Sequence, residues 1–453
     1  MFRVPVLIAW FVIILFVSLR RPFLGALVIL LHFVLREVLI EETYGWFRYN
    51  SNFEILYIAT ILGVLLTRTD RLGEFMPSSQ VDWGMVGFLL AMVFSALANG
   101  VQVWGHKYID LFFKATVLYF LLSRLADTPR RVTVVALTLV MATAYLAYLA
   151  WTKYRAGYLT IARPYWFSSF HEFGLQVIIT LPLAGALVMG RLRLWIRVLL
   201  FASIPLFVLV SLRCYSRSAY LGAGLGCVML LWYYRRRWYV AVAAVPFIIY
   251  AIVHQTPNVQ MRLASIWTHR TAEGAQDTSI SMRLEQMHVA IKIISQNPLF
   301  GLGPRQFLAH YGDYAGSEEL YMEHQWTYTM HSVPLLILCE EGLIGFAAFY
   351  GFIVFGALRG ARSAAIRARA SPELQTVAVV AAGAFMGFLA WCAYSLAQPM
   401  MWTINIYGTV ALAEAARRVA VAHFRELAEE QAPVSSAAPG WAPSQPTTQV
   451  VFP

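Results

Sequence analysis

Residues 328–345, "YTMHSVPLLILCEEGLIG", stay apolar for long enough to enter a bilayer as a helix. Yet they open on a titratable ring, His331, and are interrupted by Glu340, Glu341 and Gly342. Carboxylates at that depth are expensive unless they are paired or face a polar cavity. A glycine directly after them favours a break or bend in the helix. The stretch reads as a membrane helix with a polar interruption, its acids expected to be held by an ion pair or hydrogen bond inside a bundle.

The rest of the chain agrees. Of 453 residues 59% are hydrophobic and 13% charged, and the mean hydropathy is +0.61, which places most of the chain in apolar surroundings. Apolar runs recur near 4–18, 22–35, 52–66, 82–98, 109–123, 132–151, 173–190, 194–212, 218–234, 238–253, 332–357, 376–397 and 399–414. Helices are the form that satisfies its own backbone hydrogen bonds in lipid, so these runs predict an all-α, polytopic membrane protein with about 12 to 13 spans. No removable signal peptide is expected. Cys214, Cys227, Cys339 and Cys392 show neither CxxC nor Cys/His spacing, which argues against a disulfide framework and a zinc site.

The net charge of +11 sits largely in short loops between runs, so it is read as a topology signal rather than a nucleic-acid footprint. Alternate loops carry Arg20/Arg21, Arg68/Arg71, Arg124/Arg130/Arg131, Arg191/Arg193/Arg197, Arg235–Arg237, Arg359/Arg362/Arg367/Arg369 and Arg417/Arg418/Arg425; the positive-inside rule makes these cytoplasmic. The opposite set then faces outward. The expected organisation is a helix bundle over 1–253, a long outward loop over 254–331, further membrane helices over 332–430, and a Pro/Ser/Ala-rich disordered tail over 431–453. Within the loop, Leu284, Met287, Ile291 and Ile294 recur at helical spacing, and Asn297-Pro298 ends the helix.

Arginines and histidines on the outward side are the candidate chemistry. Arg213 and Arg217 flank a very short turn, "SLRCYSRSAYLG", where the positive-inside bias should deplete them; anchoring to lipid phosphate by snorkelling is the plainer reading. Arg283 is placed on the first turn of the loop helix, where a cation opposes the dipole and a bound anion would relieve it. Arg305 lies in the Gly/Pro turn that returns the chain to the membrane. A neutral His331 near arginines suits a general base. His324, beside Glu323, leaves a metal site conceivable, although nothing else follows ligand spacing.

Three segments in order, "SRSAYLGAG" from Ser216, "RLEQMHVAIKIISQNPLFGLGPRQF" from Arg283 and "HSVPLLILCEEGLIGF" from His331, resemble the O-antigen ligase and polymerase superfamily. The resemblance covers about residues 210–350. It implies a GT-C-like, mostly helical inner-membrane glycosyltransferase that takes a glycan from an undecaprenyl-diphosphate donor and joins it to a lipid- or protein-linked acceptor hydroxyl at the periplasmic face, without a cofactor or metal. By the same resemblance Arg217 and Arg283 contact the diphosphate, His331 is the base, and Glu340 falls on the family's acidic position; Arg213, Arg305 and His324 are secondary contacts. Ser332 stands where the family usually has asparagine. A polymerase or a protein O-glycosylation ligase would share this donor chemistry. A transporter or flippase would show two related halves, and no such duplication is visible.

Overall fold

The computed structural model of the protein describes residues 3–42, 50–152, 170–214, 216–235, 249–250, 252–254, 257–268, 278–315, 330–398, 401 and 404–431. Its principal helices are α1 (Arg3–Arg20), α2 (Pro22–Glu42), α3 (Asn50–Thr67), α4 (Gln80–Ala98), α5 (Lys107–Leu125), α6 (Pro129–Thr152), α7 (Phe170–Val188), α8 (Leu194–Arg213), α9 (Arg217–Tyr233), α10 (Pro257–Thr268), α11 (Thr278–Gln296), α12 (Val333–Glu340), α13 (Gly342–Ala368), α14 (Gln375–Ser395) and α15 (Ile404–Gln431). No strand occurs among the described residues. Every apolar run of the sequence coincides with a helix except 238–253, which lies mostly outside the described residues, as does the tail beyond 431.

The chain is a multi-pass membrane protein. Among the described residues, five helices are long and apolar enough to cross a bilayer, namely α4, α6, α8, α13 and α14. Shorter apolar stretches lie at Ala9–Arg20, Pro22–Leu35, Glu54–Thr67 and Phe173–Val188. The remaining apolar runs of the sequence fall on these shorter stretches, on α5, α9 and α15, or outside the described residues. α5 carries Lys107, Asp110, Lys114 and Arg124, and α9 has only 17 residues.

α14 packs against α6, α7, α9, α13 and α15, with Trp391 and Tyr394 fully buried. Its Gly383 and Gly387, four residues apart, let the backbone approach α7 at Leu183 and Ile179, as small residues do between helices in lipid.

The break expected at the paired glutamates is present, and the loop after α11 completes it. Ending α12 at Glu340 and starting α13 at Gly342 leaves carbonyls without intrahelical donors on one side and amides without acceptors on the other. Residues 298–303 supply both. Leu302 and Gly303 donate their N–H groups to the carbonyls of Cys339 and Glu340, at 2.8 and 2.9 Å, and the carbonyls of Pro298 and Leu299 accept from Leu343 and Ile344, at 2.8 and 3.4 Å. Gly301 (φ +65°) and Gly342 (φ +68°) take the left-handed conformation, and a Cβ on either would run into the facing backbone. From α4, the Ser95 hydroxyl proton lies between the carbonyls of Phe300 and Glu340, at 2.5 and 2.6 Å, while Asn99 Nδ2 donates to the carbonyl of Gly301 at 3.1 Å.

At the arginine-rich end, Asp82 is fully buried at the start of α4. Its carboxylate accepts from Arg124 Nη2 at 2.7 Å, Tyr119 Oη at 2.6 Å and the Ser78 and Ser79 amides at 2.9 and 2.8 Å. Arg418 of α15 reaches it at 3.4 Å. The cluster joins α4, α5 and α15.

Two stability outcomes follow. Gly342→Ala is expected to cost at least ~2 kcal/mol, from the left-handed backbone plus the collision with Leu299, read as a lower midpoint of thermal unfolding in detergent. Asp82→Ala leaves the buried Arg124 without its carboxylate and is expected to cost about 3–5 kcal/mol, read in the same assay or as loss of folded protein from membranes.

Candidate functional site

α11 brings a cation and an amide to the histidine that precedes α12. His331 Nδ1 lies 2.9 Å from Gln286 Oε1, and the His331 backbone N–H donates to the same oxygen at 3.3 Å. A backbone N–H can only donate, so the atom between the two groups is the amide oxygen, and an oxygen can only accept. That assigns the ring proton to Nδ1 and the lone pair to Nε2. Burial, and then the positive charge of Arg283, push the His331 pKa down to about 4. The ring is therefore neutral at pH 7, as expected from the sequence, although desolvation rather than like charge is the larger cause.

The helix that carries these groups is oriented differently from its sequence pattern. Leu284, Met287 and Ile291 are exposed, while Gln286, Val289, Ala290 and Ile293 are buried. The side bearing the larger apolar residues faces outward, and α12 packs on the opposite side, where Cys339 Sγ–H points to the Ala290 carbonyl at 3.7 Å. Gln286 was missed because a glutamine inside an apolar repeat reads as a surface residue; its one signal is its position three residues after Arg283, on the same helical face. The helix also starts earlier than expected. With Thr278 as its first residue, Arg283 lies in the second turn and not the first, so the helix-terminus argument does not apply to it. Beyond α11, Lys292 Nζ donates to the Tyr314 carbonyl at 3.1 Å, and Glu285 bonds the Tyr311 phenol, whose pKa is raised by burial first and by that carboxylate second.

Arg217, in contrast, does stand at a helix N-terminus. α8 ends at Arg213 and α9 begins at Arg217, with Ser216 as N-cap accepting from the Ala219 amide at 3.4 Å. The serine of the "SRSA" turn thus starts the helix, and Arg217 occupies its first position, where an anion would be favoured by both the guanidinium and the dipole. α9 packs against α7, α14, α8 and α10, whereas α11 packs against α12, so Arg217 and Arg283 stand on differently packed helices. Arg213, at the last turn of α8, stacks its guanidinium on the Trp151 ring, 4.0 Å from the centroid.

Glu340 and Arg305 belong to the loop closure described above. Glu340 is buried, and its carboxylate accepts from the backbone N–H groups of Arg305 and Phe307, the latter at 3.3 Å. Arg305 has the one left-handed non-glycine backbone among the described residues, φ +62°; its guanidinium lies over Tyr108, 5.2 Å from the ring centroid. Burial, and then Arg305, lower the pKa of the neighbouring His106. Glu341 is fully buried and neither of its oxygens finds a hydrogen-bond partner among the described residues. The expected pairing of the acids therefore holds for Glu340 and not for Glu341. His324 and Glu323 lie outside the described residues.

The fold and this site define a multi-pass helical membrane protein with a half-buried, neutral histidine in the field of an arginine. Residues 202–350 match the family described as O-Antigen ligase. That segment contains Arg213, Arg217, Arg283, Arg305, His324, His331 and Glu340, so the resemblance carried by the three motifs is shown over the part of the chain that holds them. It supports a glycosyl-transferring role of the lipid-linked glycan ligase or polymerase type. No curated protein matches the chain.

The geometry makes Glu340 a loop-holding acceptor. Glu340→Gln keeps an oxygen for the two amides and is expected to retain most stability and activity. Glu340→Ala leaves both amides unmet and is expected to cost ~3 kcal/mol, measured by thermal unfolding in detergent. Loss of turnover in a stable Glu340→Gln protein would instead make the carboxylate part of the chemistry.

Proposed function

We propose that the protein is a glycosyltransferase of the O-antigen ligase type in a bacterial inner membrane, using an undecaprenyl-diphosphate-linked glycan as donor and a hydroxyl acceptor at the periplasmic face. The observation that carries this reading is, inside the family-matched segment, a His331 ring held by Gln286 with its proton on Nδ1 and kept neutral by burial and by the charge of Arg283.

The chemistry uses what these side chains supply. The acceptor oxygen forms a bond to the anomeric carbon as its proton passes to His331 Nε2, and the bond from that carbon to the diphosphate breaks, its electron pair leaving on the phosphate oxygen. Arg283 and Arg217 neutralise that leaving charge with planar, permanently protonated forks, and the order of events needs no metal. Arg217 joins the site through the donor: one diphosphate bridges the start of α9 and the second turn of α11. The distribution of basic loops supports the orientation, since the short 213–217 turn and the 254–331 loop lie on the side away from the arginine-rich loops.

Transfer from a purified lipid-linked donor tests the roles. His331→Gln is expected to lower kcat by about 10²-fold or more, and near-normal turnover would remove the base. Arg217→Lys and Arg283→Lys are expected to weaken donor binding, and unchanged binding in both would remove the diphosphate role. The acid side of the pH profile has a definite sign. The neutral ring is the active form, so kcat/KM should persist through pH 5 and fall as the ring protonates near its pKa of about 4. A diphosphate on Arg283 cancels the like charge, so the corresponding limb in kcat should lie at higher pH.

A further inference from the structure

We infer that Gln286, on the neighbouring helix, is the positioning residue for His331. The inference rests on the catalytic reading of His331 and adds to it a second residue, on a different element, that fixes which nitrogen accepts the proton.

Three observations carry it. Gln286 is 4% exposed, on the face of α11 that packs toward α12. Its single oxygen receives both the backbone N–H and Nδ1 of His331, so one acceptor sets the ring's rotation relative to its own backbone as well as its tautomer. Ser332, adjacent to the ring in sequence, is the N-cap of α12 but its side chain makes no capping bond. The contact that fixes Nδ1 of the imidazole comes from Gln286 of the neighbouring helix.

An amide suits this place better than a carboxylate would in a resting enzyme. A neutral acceptor fixes the tautomer without stabilising the imidazolium, so the ring stays deprotonated. Among the described groups around it, Arg283 of α11 is the charge that acts on the ring, Glu285 is engaged with Tyr311, and Cys339, Glu340 and Glu341 lie at the far end of α12. Changing Gln286 to glutamate would place a negative group directly on Nδ1.

The test compares Gln286→Met, similar in size but without an acceptor, with Gln286→Glu, which keeps one. Both are purified and assayed with lipid-linked donor and acceptor across pH, beside His331→Gln and the unmodified protein. If Gln286 positions the ring, Gln286→Met loses kcat by about 10- to 100-fold with donor KM little changed. Gln286→Glu then recovers most of that loss and moves the acid limb of kcat/KM to higher pH, because its carboxylate favours the imidazolium. If Gln286 only fills space, the order reverses: Gln286→Met works normally and Gln286→Glu is the damaged variant, with no displaced limb. That result overturns the inference while leaving the base reading intact. Full turnover by His331→Gln would overturn the base reading itself, whichever way the Gln286 variants fall. A Gln286→Met protein that unfolds at the temperature of the assay is resolved by Gln286→Glu, whose pH limb must still move.

Discussion

The physical constraint on which this structure depends is that a helix broken in an apolar environment must have its exposed backbone groups satisfied by something. Between α12 and α13 that partner is a segment from the other end of the preceding loop. Residues 298–303 donate to the carbonyls that α12 leaves open and accept from the amides that α13 leaves open. The exchange is possible only because Gly301 and Gly342 allow the two backbones to meet in a left-handed conformation. Each of those groups left unmet at membrane depth would cost several kcal/mol, so loop and break stabilise each other as one unit.

The consequences reach the site by direct connection. Anchoring residues 298–303 fixes the end of α11, and ending α12 at Glu340 fixes the short helix whose first turn follows His331. The two helices are thereby packed with Gln286 against the imidazole and Cys339 near the Ala290 carbonyl. Glu340 adds the side-chain part of the same closure by holding the Arg305 and Phe307 amides. The "NPLFGLGPRQF" and "CEEGLIG" stretches thus read as two halves of one structural device, and the chemistry proposed for the protein is carried by residues just beyond each half.

Much of this architecture is legible in the order of the amino acids. The apolar runs mark the helices nearly one for one, because a helix in lipid needs length and hydrophobicity and little else to be recognised. Asn297-Pro298 ends α11 where it should, the short 213–217 turn separates α8 from α9, and Gly342 marks the break. Periodicity on α11 misleads. Leu284, Met287 and Ile291 have the spacing of a buried stripe, yet they are exposed. In a membrane protein the apolar side of a helix has more than one apolar environment to meet, so hydrophobic spacing does not say which side the protein covers.

The sequence by itself determined the class of the protein, the positions of its helices and breaks, and the residue types available for anion binding and proton transfer, since each depends on local composition. Only the tertiary structure decided what those residues touch. It assigned Glu340 to backbone amides and left Glu341 without a hydrogen-bond partner among the described residues, set Arg217 rather than Arg283 at a helix terminus, and put Gln286 on the histidine. These pairings join residues tens of positions apart, and their geometry follows from how helices pack and where a broken backbone finds its partners, which no local window contains.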